Sequence, residues 1–230
     1  MKKLVVLTGA GISAESGLKT FRDSNGLWEG HDVMEVASPI GWNNNPELVL
    51  DFYNQRRKQA LNANPNLGHT ILKELETNYD VSIITQNVDN LHEKAGSTNV
   101  THLHGQLFQS RSTANEDLIY DMDDWKLDLG DKCELGAQLR PNIVWFGEAV
   151  PMMDVAIEIT KAADILLIVG TSMQVYPAAG LIDFAATNIP KYIVDPNKPP
   201  TRNLPNVIFI EEKATSGMPK IKAELLKGLN

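Results

Sequence analysis

A short apolar strand that runs directly into a glycine-rich turn opens the chain and limits what it can fold into. Residues 4–7 predict a buried strand, and Gly9, Gly11 and Ala14 fit the spacing G-x-G-x-x-G/A directly after it. Glycine lets a backbone turn tightly and approach a pyrophosphate closely, and a following helix presents N–H groups to the anion. The beginning of the chain therefore predicts a dinucleotide-binding turn.

Further apolar runs recur along the chain. Each is continuous rather than alternating, which is typical of strands buried on both faces of a parallel sheet. The predicted strands are residues 4–7, 81–84, 143–146, 165–169, 192–194 and 207–210, and helical spacing covers residues 65–76, 154–163 and 218–229. This alternation predicts an α/β fold with a doubly wound, mostly parallel, Rossmann-like sheet.

Two stretches depart from the alternation of strands and helices. Residues from about 27 to 64 are helix-rich and aromatic, and residues from about 108 to 140 are polar and acidic. We expect both to be insertions that build a smaller domain, while residues 1–26, 65–107 and 141–230 form the large domain. The acidic run is interpreted as a solvated face. A functional site would lie in the cleft between the two domains.

Composition excludes several classes of function. The net charge of −8 argues against a broad surface for nucleic acid or membrane. The one cysteine, Cys133, excludes an internal disulfide and a zinc site built of cysteine alone. Only about four apolar residues precede the glycine turn, too few for a signal peptide. No run approaches the length of a membrane span, so we expect a cytoplasmic protein.

Polar and small residues follow two further predicted strands. Residues 86–89 come directly after the strand at 81–84, His104 and Gly105 come soon after them, and residues 170–172 follow the strand at 165–169. Open α/β sheets bind ligands at the carboxyl ends of their strands. We therefore expect these residues to converge with the glycine turn on one site.

These segments, in this order, resemble the sirtuins, which are NAD-dependent protein-lysine deacylases. The matching residues span most of the chain: Gly9-Ala10-Gly11-Ile12-Ser13 through Phe21-Arg22, Gln86-Asn87-Val88-Asp89, His104-Gly105, Phe146-Gly147-Glu148 and Gly170-Thr171-Ser172. The resemblance implies that NAD is consumed as a co-substrate. The acyl oxygen would attack the nicotinamide ribose carbon, and the products would be nicotinamide, free lysine and 2′-O-acyl-ADP-ribose.

The resemblance also implies roles for individual residues. His104 would be the general base, since a neutral imidazole with a pKa of about 6.5 can take a hydroxyl proton. Asn87 would orient ribose or water, and Asp89 would accept from the nicotinamide amide. The implied NAD-binding residues are Gly9, Ala10, Gly11, Phe21, Arg22, Gln86, Asn87, Asp89, Gly170, Thr171, Ser172, Asp195 and Ala214. Asparagine is usual in the family at the position of Asp195. The alternative to a role in NAD binding is that Asn87 and Asp89 only cap a helix. His92 and His102 are interpreted as structural residues.

Tyr53 and Arg56 are three residues apart and project from one face of a predicted helix. An arginine beside a phenol suits a carboxylate, and this pair resembles that of class III sirtuins, which prefer succinyl-, malonyl- or glutaryl-lysine. The alternative is a solvated helix face, with Arg57 and Lys58 continuing a basic run. The implied substrate-binding residues are Tyr53, Arg56, Ala37, Val144, Phe146, Gly147, Glu148 and Val175. The peptide would add a strand between residues 144–148 and 173–176.

The chain departs from the family at the structural zinc, which most sirtuins bind with two pairs of cysteines. Ser112 and Asn115 stand in place of the first pair, and the second retains only Cys133. One thiolate cannot build a tetrahedral thiolate site, so we predict no zinc and a small buried hydrophobic role for Cys133. The residues predicted to hold this region by packing are Leu118, Ile119, Trp125 and Leu135.

The function predicted from the sequence is NAD-dependent protein-lysine deacylation, with succinyl or malonyl groups favoured and acetyl groups also removed. The open alternatives are an enzyme that is mainly a deacetylase, a protein ADP-ribosyltransferase, and a non-catalytic sensor of NAD or ADP-ribose. The expected partners are acyl-lysine proteins or peptides, with neither nucleic acid nor a membrane. A monomer is compatible with the sequence, which carries no information on oligomeric state.

Overall fold

The computed structural model describes residues 1–19, 27–28, 30–199 and 205–228. The strands, in chain order, are β1 Lys3–Thr8, β2 Leu27–Trp28, β3 His31–Asp32, β4 Asp80–Thr85, β5 Val100–His102, β6 Gly105–Ser112, β7 Ile119–Asp121, β8 Leu139–Ile143, β9 Ile165–Val169, β10 Lys191–Val194 and β11 Val207–Ile210. The helices are α1 Gly11–Ala14, α2 Val33–Val36, α3 Pro39–Asn44, α4 Pro46–Asn62, α5 Leu67–Leu75, α6 Leu91–Lys94, α7 Met153–Lys161 and α8 Ala214–Lys227, together with a 3₁₀ helix Ala178–Phe184.

Within the described ranges, six strands form a parallel sheet in the order β11-β10-β9-β1-β4-β5. The chain first builds outward from β1 through β4 to β5, and later places β9, β10 and β11 on the other side of β1. The strand order therefore reverses between β1 and β9, which is where open α/β sheets form a ligand crevice. The predicted α/β, doubly wound fold is confirmed.

Helices cover both faces of the parallel sheet, which explains why its strands are continuously apolar. Side chains alternate along a strand. Leu4 and Val6 of β1 accordingly pack with the apolar residues of α5 and α8, whereas Val5 and Leu7 pack with those of α7 and the 3₁₀ helix. These two clusters form the core that fixes the carboxyl ends of the strands in place.

The predicted strand at residues 143–146 is wrong. The strand in this region is β8, which ends at Ile143 and pairs antiparallel with β6 in a separate sheet of order β7-β6-β8. Trp145 is nevertheless buried, because it packs in the cluster that includes Phe52 and Tyr53 of α4. This segment is therefore apolar because it is buried against a helix, and it is not a strand of the parallel sheet.

Helix α4 and the three-stranded sheet are joined by a buried arginine. Arg57 is fully buried, and its guanidinium donates to the carbonyl oxygens of Trp125 and Leu107 and to the side-chain oxygen of Asn54. Tyr53 on the same helix is also fully buried. The interpretation of this part of α4 as a solvated face is therefore wrong. The assignment of these stretches to a separate small domain stays a prediction.

The region that replaces the zinc cysteines is held by a polar turn. Ser112 Oγ accepts from the amides of Ala114 and Asn115 at 3.1 and 3.3 Å and lies 3.2 Å from Cys133 Sγ, a contact that lowers the pKa of this cysteine. Cys133 is buried, as predicted. The predicted packing is wrong in part, since Ile119 and Leu135 are 48% and 62% exposed. Hydrogen bonds at the turn and the buried side chain of Cys133 take the place of that apolar cluster.

Two global features complete the description. The described residues contain no grouping of three or more His, Cys, Asp or Glu side chains that is suited to hold a metal ion. None of the helices in the same part of the chain combines the length and apolar character that crossing a bilayer requires.

Candidate active site

A cavity of about 710 Å³ lies at the point where the strand order reverses. Its walls come from the carboxyl ends of strands β1, β4, β9 and β10, from helix α4, and from the loop after β8. The structure brings most of the sequence-predicted residues to this cavity: Gly9, Ala10, Gly11, Ala37, Tyr53, Arg56, Gln86, Asn87, Asp89, His104, Val144, Phe146, Gly147, Glu148, Gly170, Thr171, Ser172, Val175 and Asp195. Phe21 and Arg22 lie outside the described residues.

The glycines after β1 are needed for contact with the turn after β9. A Cβ on Gly9 would lie 2.7 Å from Thr171 Cβ, and one on Gly11 would lie 2.7 Å from Gly170 Cα. The amides of Gly9 and Gly11 donate to Val169 O and Gly170 O. The amides of the next two residues after Gly11 also donate within the chain. The amides of Gly9 and Gly11 thus bind the turn after β9, and those of the next two residues bind within the first turn. The contact of Gly9, Ala10 and Gly11 with a pyrophosphate stays a prediction.

Asn87 and Asp89 are joined to the first turn through Ser13. Asn87 Nδ2 donates to Gly9 O at 3.1 Å and to Ser13 Oγ at 3.2 Å, and the Ser13 hydroxyl donates to Asp89 Oδ2 at 3.0 Å. Burial raises the pKa of Asp89, whose Oδ1 accepts from the amide of Leu91 at 3.1 Å. Asp89 thus binds the first amide of α6 and also lines the cavity. Sequence reasoning gave Ser13 no role, although it directly follows the glycine turn.

His104 has the geometry of a proton acceptor. Its Nδ1 lies 3.0 Å from the carbonyl oxygen of Gln86, which can only accept, so Nδ1 carries the proton. Nε2 is then the basic atom of a ring that lines the cavity. Burial lowers the pKa of His104, although the bond to Gln86 opposes this effect. The Gln86 side chain donates to Thr171 Oγ1 at 3.1 Å and links this side of the cavity to the turn after β9.

The residues that follow β10 form another part of the cavity wall. Asp195 is buried, and its Oδ1 accepts from the amide of Asn197 at 2.8 Å. Asn197 and Lys213 also line the cavity, and sequence reasoning missed both. Ala214, which was expected at the site, is not among the lining residues. It begins α8 and packs in the core, where its Cβ would lie 3.2 Å from a Cβ placed on Gly68.

Aromatic rings surround the polar groups that α4 contributes to the cavity. Tyr53 Oη accepts from Trp145 Nε1 at 3.1 Å, and burial raises the pKa of Tyr53 to about 12. The Arg56 guanidinium carbon lies 4.3 Å from the ring centroid of Trp28, in cation–π geometry. Ala37 is buried beside them and contributes only a methyl group. The two tryptophans were not recognised as site residues, because an isolated tryptophan in sequence predicts only core packing.

Glu148 lines the cavity, but its carboxylate is occupied by other residues. It accepts from Arg140 at 2.7 and 3.1 Å, from Arg111 at 3.3 Å, and from the amide of Trp145 at 2.8 Å. Although burial alone would raise it, these bonds hold the pKa of Glu148 below its usual range. Arg140 also stacks on Trp145 at 3.3 Å from the ring centroid. The Glu148 side chain therefore braces Trp145 and is not an open acceptor for substrate.

The strand order and the cavity at its reversal, lined by a partly buried histidine whose Nε2 can accept a proton, are typical of a nucleotide-binding α/β protein. The sequence profile of the Sir2 family matches residues 9–177. The chain therefore belongs to the Sir2 family, and the sirtuin resemblance is confirmed.

Two bacterial proteins that are similar to this chain over nearly their whole length share one name. A protein from Helicobacter pylori, named NAD-dependent protein deacylase, is 54% identical over 99% of both chains. A protein of the same name from Bacteroides thetaiotaomicron is 48% identical over 98% of this chain and 99% of the relative.

Solved structures agree with the sequence comparison. An NAD complex of a Sir2 homologue has a TM-score of 0.90 and 37% identity, with coverage of 100% of this chain and 91% of that one. An ADP-ribose complex of a mutant Sir2 homologue has a TM-score of 0.91 and 37% identity, with coverage of 99% and 93%.

Proposed function

We propose that this Sir2-family enzyme is an NAD-dependent protein-lysine deacylase that prefers succinyl and malonyl groups and also removes acetyl groups. The observation that supports the preference is that Tyr53 and Arg56 line the same cavity as His104 and the turn at Gly9. A receptor for an acyl carboxylate and a base for the ribose would thus lie in one space. The products would be nicotinamide, the free lysine and 2′-O-acyl-ADP-ribose.

The residues present fit NAD as co-substrate. Asp195 places a buried carboxylate at the end of β10, where ribose hydroxyls can donate to it. Asn87 and Asp89 both line the cavity, and both N–H groups of Asn87 are bound to Gly9 O and Ser13 Oγ. The pair therefore offers acceptor oxygens, which suit the NH₂ group of a carboxamide. Bound NAD would supply the electrophilic ribose carbon. A cavity of about 710 Å³ is large enough for a ligand of this class.

His104 would take the proton of a ribose hydroxyl on Nε2. Its Nδ1–H bond to Gln86 fixes the tautomer, and its lowered pKa keeps the ring neutral at physiological pH. Asn87 would hold the ribose or a water molecule in place, since its Nδ2 is itself fixed by Gly9 and Ser13. The chain's part in the reaction is therefore to orient the reactants and to accept one proton.

The acyl carboxylate would be bound by one charged and one neutral donor. Because the pKa of Tyr53 is raised to about 12, its phenol stays protonated. Its oxygen already accepts from Trp145, so its own O–H is available to donate. Arg56 supplies the positive charge in a setting walled by Trp28 and Phe52, where charge-assisted bonds are strong. An acetyl group lacks the carboxylate but fits the same space.

The acyl-lysine peptide would lie between residues 144–148 and 173–176. The amides of Val144, Phe146 and Glu148 already donate to His104 O, Ala37 O and Trp145 O. A peptide strand added here would pair with the other backbone groups of the segment. Such pairing carries little sequence information, so the substrate proteins would be selected mainly by their acyl group.

The test compares succinyl- and acetyl-lysine peptides of one sequence with wild type, Arg56→Met, Lys58→Met and His104→Ala. Arg56→Met should lower kcat/KM for the succinyl peptide about 10- to 100-fold, the size of a charge-assisted hydrogen bond, with a small effect on acetyl. Lys58→Met is the matched control, since Lys58 is exposed on the same helix. His104→Ala should abolish both activities.

Each alternative function has its own outcome in these assays. Equal loss of both activities in Arg56→Met would contradict carboxylate recognition and leave an enzyme that is mainly a deacetylase. Labelled NAD distinguishes the rest. Label on protein indicates ADP-ribosyl transfer, label in acyl-ADP-ribose indicates deacylation, and binding without release of nicotinamide indicates a sensor.

A further inference from the structure

Two histidines hold consecutive carbonyl groups of the loop after β4. His104 Nδ1 donates to Gln86 O, and His102 Nδ1 donates to Asn87 O, each at 3.0 Å. They differ in the surroundings of the ring. His104 lines the cavity, whereas Nε2 of His102 lies 2.8 Å from Glu93 Oε1 on α6. The same contact with the backbone is thus made twice, and His102 is outside the site assigned to the reaction.

Both ring nitrogens of His102 face acceptors. The carbonyl of Asn87 can only accept, and the ionised carboxylate of Glu93 can only accept. A neutral imidazole carries one N–H and cannot satisfy both, whereas an imidazolium carries two. Although burial alone would raise it, the contact with His102 holds the pKa of Glu93 below its usual range, so the carboxylate is ionised and the geometry requires a protonated ring. Although burial alone would lower it, Glu93 raises the pKa of His102 above its usual value.

The other titratable groups around His102 favour the same state. Its side chain is 6% exposed, and the negative charge of Asp89, from the loop after β4, also raises the pKa of His102. His92 on α6 and His69 on α5 stay neutral, since burial lowers their pKa values to about 3 and about 4. His102 is thus the protonated imidazole in a group of three buried or nearly buried histidines.

We propose that His102, as an imidazolium paired with Glu93, is a positioning residue that holds Asn87 and Asp89 at the nicotinamide end of the cavity. The inference rests on the proposed function, which gives those two residues their task. His102 itself touches neither co-substrate nor substrate. It acts through the backbone of Asn87, whose side chain is in turn bound to Gly9 and Ser13.

Loss of the His102 proton has a defined consequence. One N–H would remain, and the ionised carboxylate of Glu93 is a stronger acceptor than an amide carbonyl. The proton would then stay on Nε2, and the lone pair of Nδ1 would face Asn87 O. The loop would lose this contact, so kcat/KM for NAD should fall as the pH rises through the pKa of His102.

Glu93→Gln removes this dependence while keeping the geometry. A glutamine amide can donate to Nε2, so a neutral imidazole keeps its Nδ1–H on Asn87 O. From about pH 7 to about pH 10, wild type should lose about tenfold more kcat/KM for NAD than Glu93→Gln, the size of one hydrogen bond to a charged group. Glu158→Gln is the matched control, because it removes an exposed ion pair with Lys161 on α7 and should follow wild type.

A spectroscopic readout tests the protonation state without catalysis. In ¹⁵N-labelled wild type at about pH 7, both ring nitrogens of His102 should carry a proton, with the signal assigned by its loss in His102→Gln. A singly protonated ring, or superimposable pH profiles of wild type and Glu93→Gln, would overturn the inference. The rates are measured as nicotinamide release with an acetyl-lysine peptide. No release by wild type with any acyl peptide would instead contradict the proposed function.

Discussion

Replacement of Tyr53 by phenylalanine is the most selective test of acyl recognition. The substitution removes one hydroxyl from a fully buried ring and leaves the packing of the ring unchanged. Two hydrogen bonds would be lost. One is the bond from Trp145 Nε1, which is present with any substrate, and the other is the proposed bond to the acyl carboxylate, which requires an acidic acyl group. The two losses can therefore be separated by the choice of peptide.

The expected magnitude follows from the two bonds. A hydrogen bond to a charged group contributes about 1.5–3 kcal/mol, so the ratio of kcat/KM for succinyl over acetyl should fall about 10- to 150-fold. The unpaired N–H of Trp145 should lower the free energy of unfolding by about 1–3 kcal/mol in the variant, whichever substrate is used. Steady-state kinetics with both peptides and urea denaturation measure these effects.

Tyr79→Phe is the matched control. Tyr79 is also a buried tyrosine with a hydrogen bond, since its hydroxyl donates to Leu225 O at 2.7 Å, but it packs in the core cluster with α5 and α8. It should lose stability without a change in the succinyl-to-acetyl ratio. If Tyr53→Phe left that ratio within about twofold of wild type while stability fell, the phenol would serve only Trp145, and the acyl assignment would be refuted.

Three further predictions concern pH, stability and metal. Burial holds the pKa of His104 below its usual 6.5, so the ring is neutral at physiological pH. The rate of nicotinamide release should therefore fall only below about pH 6.5. A fall in this rate already between about pH 8 and 7 would contradict the neutral state. Arg57→Met leaves two buried carbonyl groups without a donor, so the free energy of unfolding in urea should fall by roughly 3 kcal/mol. A fall of less than about 1 kcal/mol would contradict the role of Arg57 in joining α4 to the sheet. Because Cys133 is the one cysteine, a chelator should leave Tm unchanged, and stoichiometric zinc in purified protein would refute the prediction of a zinc-free chain.

The parallel sheet could be predicted because its signal is local. A strand buried on both faces is apolar throughout, and residues 165–169 show this without reference to any partner. The run at residues 143–146 carries the same signal for a different reason. Trp145 is buried against α4, which lies far away in sequence. An apolar run reports burial, but it does not identify what covers it.

Much of the candidate site could be located because parallel strands end at one edge. Residues 86–89 and 170–172 both follow strands, so their convergence needs only the sheet. To predict where a side chain points, one must also know which residues from distant parts of the chain contact it. Glu148 was expected among the substrate-binding residues, and its carboxylate is bound by Arg111, 37 residues away in sequence, and by Arg140. Nothing local to Glu148 predicts which cations fold against it.

Helix α4 links the proposed acyl receptor to the rest of the fold. Tyr53 and Arg56 line the cavity, whereas the adjacent Asn54 and Arg57 bind the segment after β7: Asn54 exchanges two hydrogen bonds with the backbone of Leu127 at 3.0 and 2.9 Å. Because one helix carries both sets, the polar bonds to that segment also set the position of Tyr53 and Arg56, the proposed acyl receptor. In this chain, which lacks the cysteine pairs, buried polar bonds from α4 therefore hold the neighbouring segment and, with it, the position of the proposed receptor.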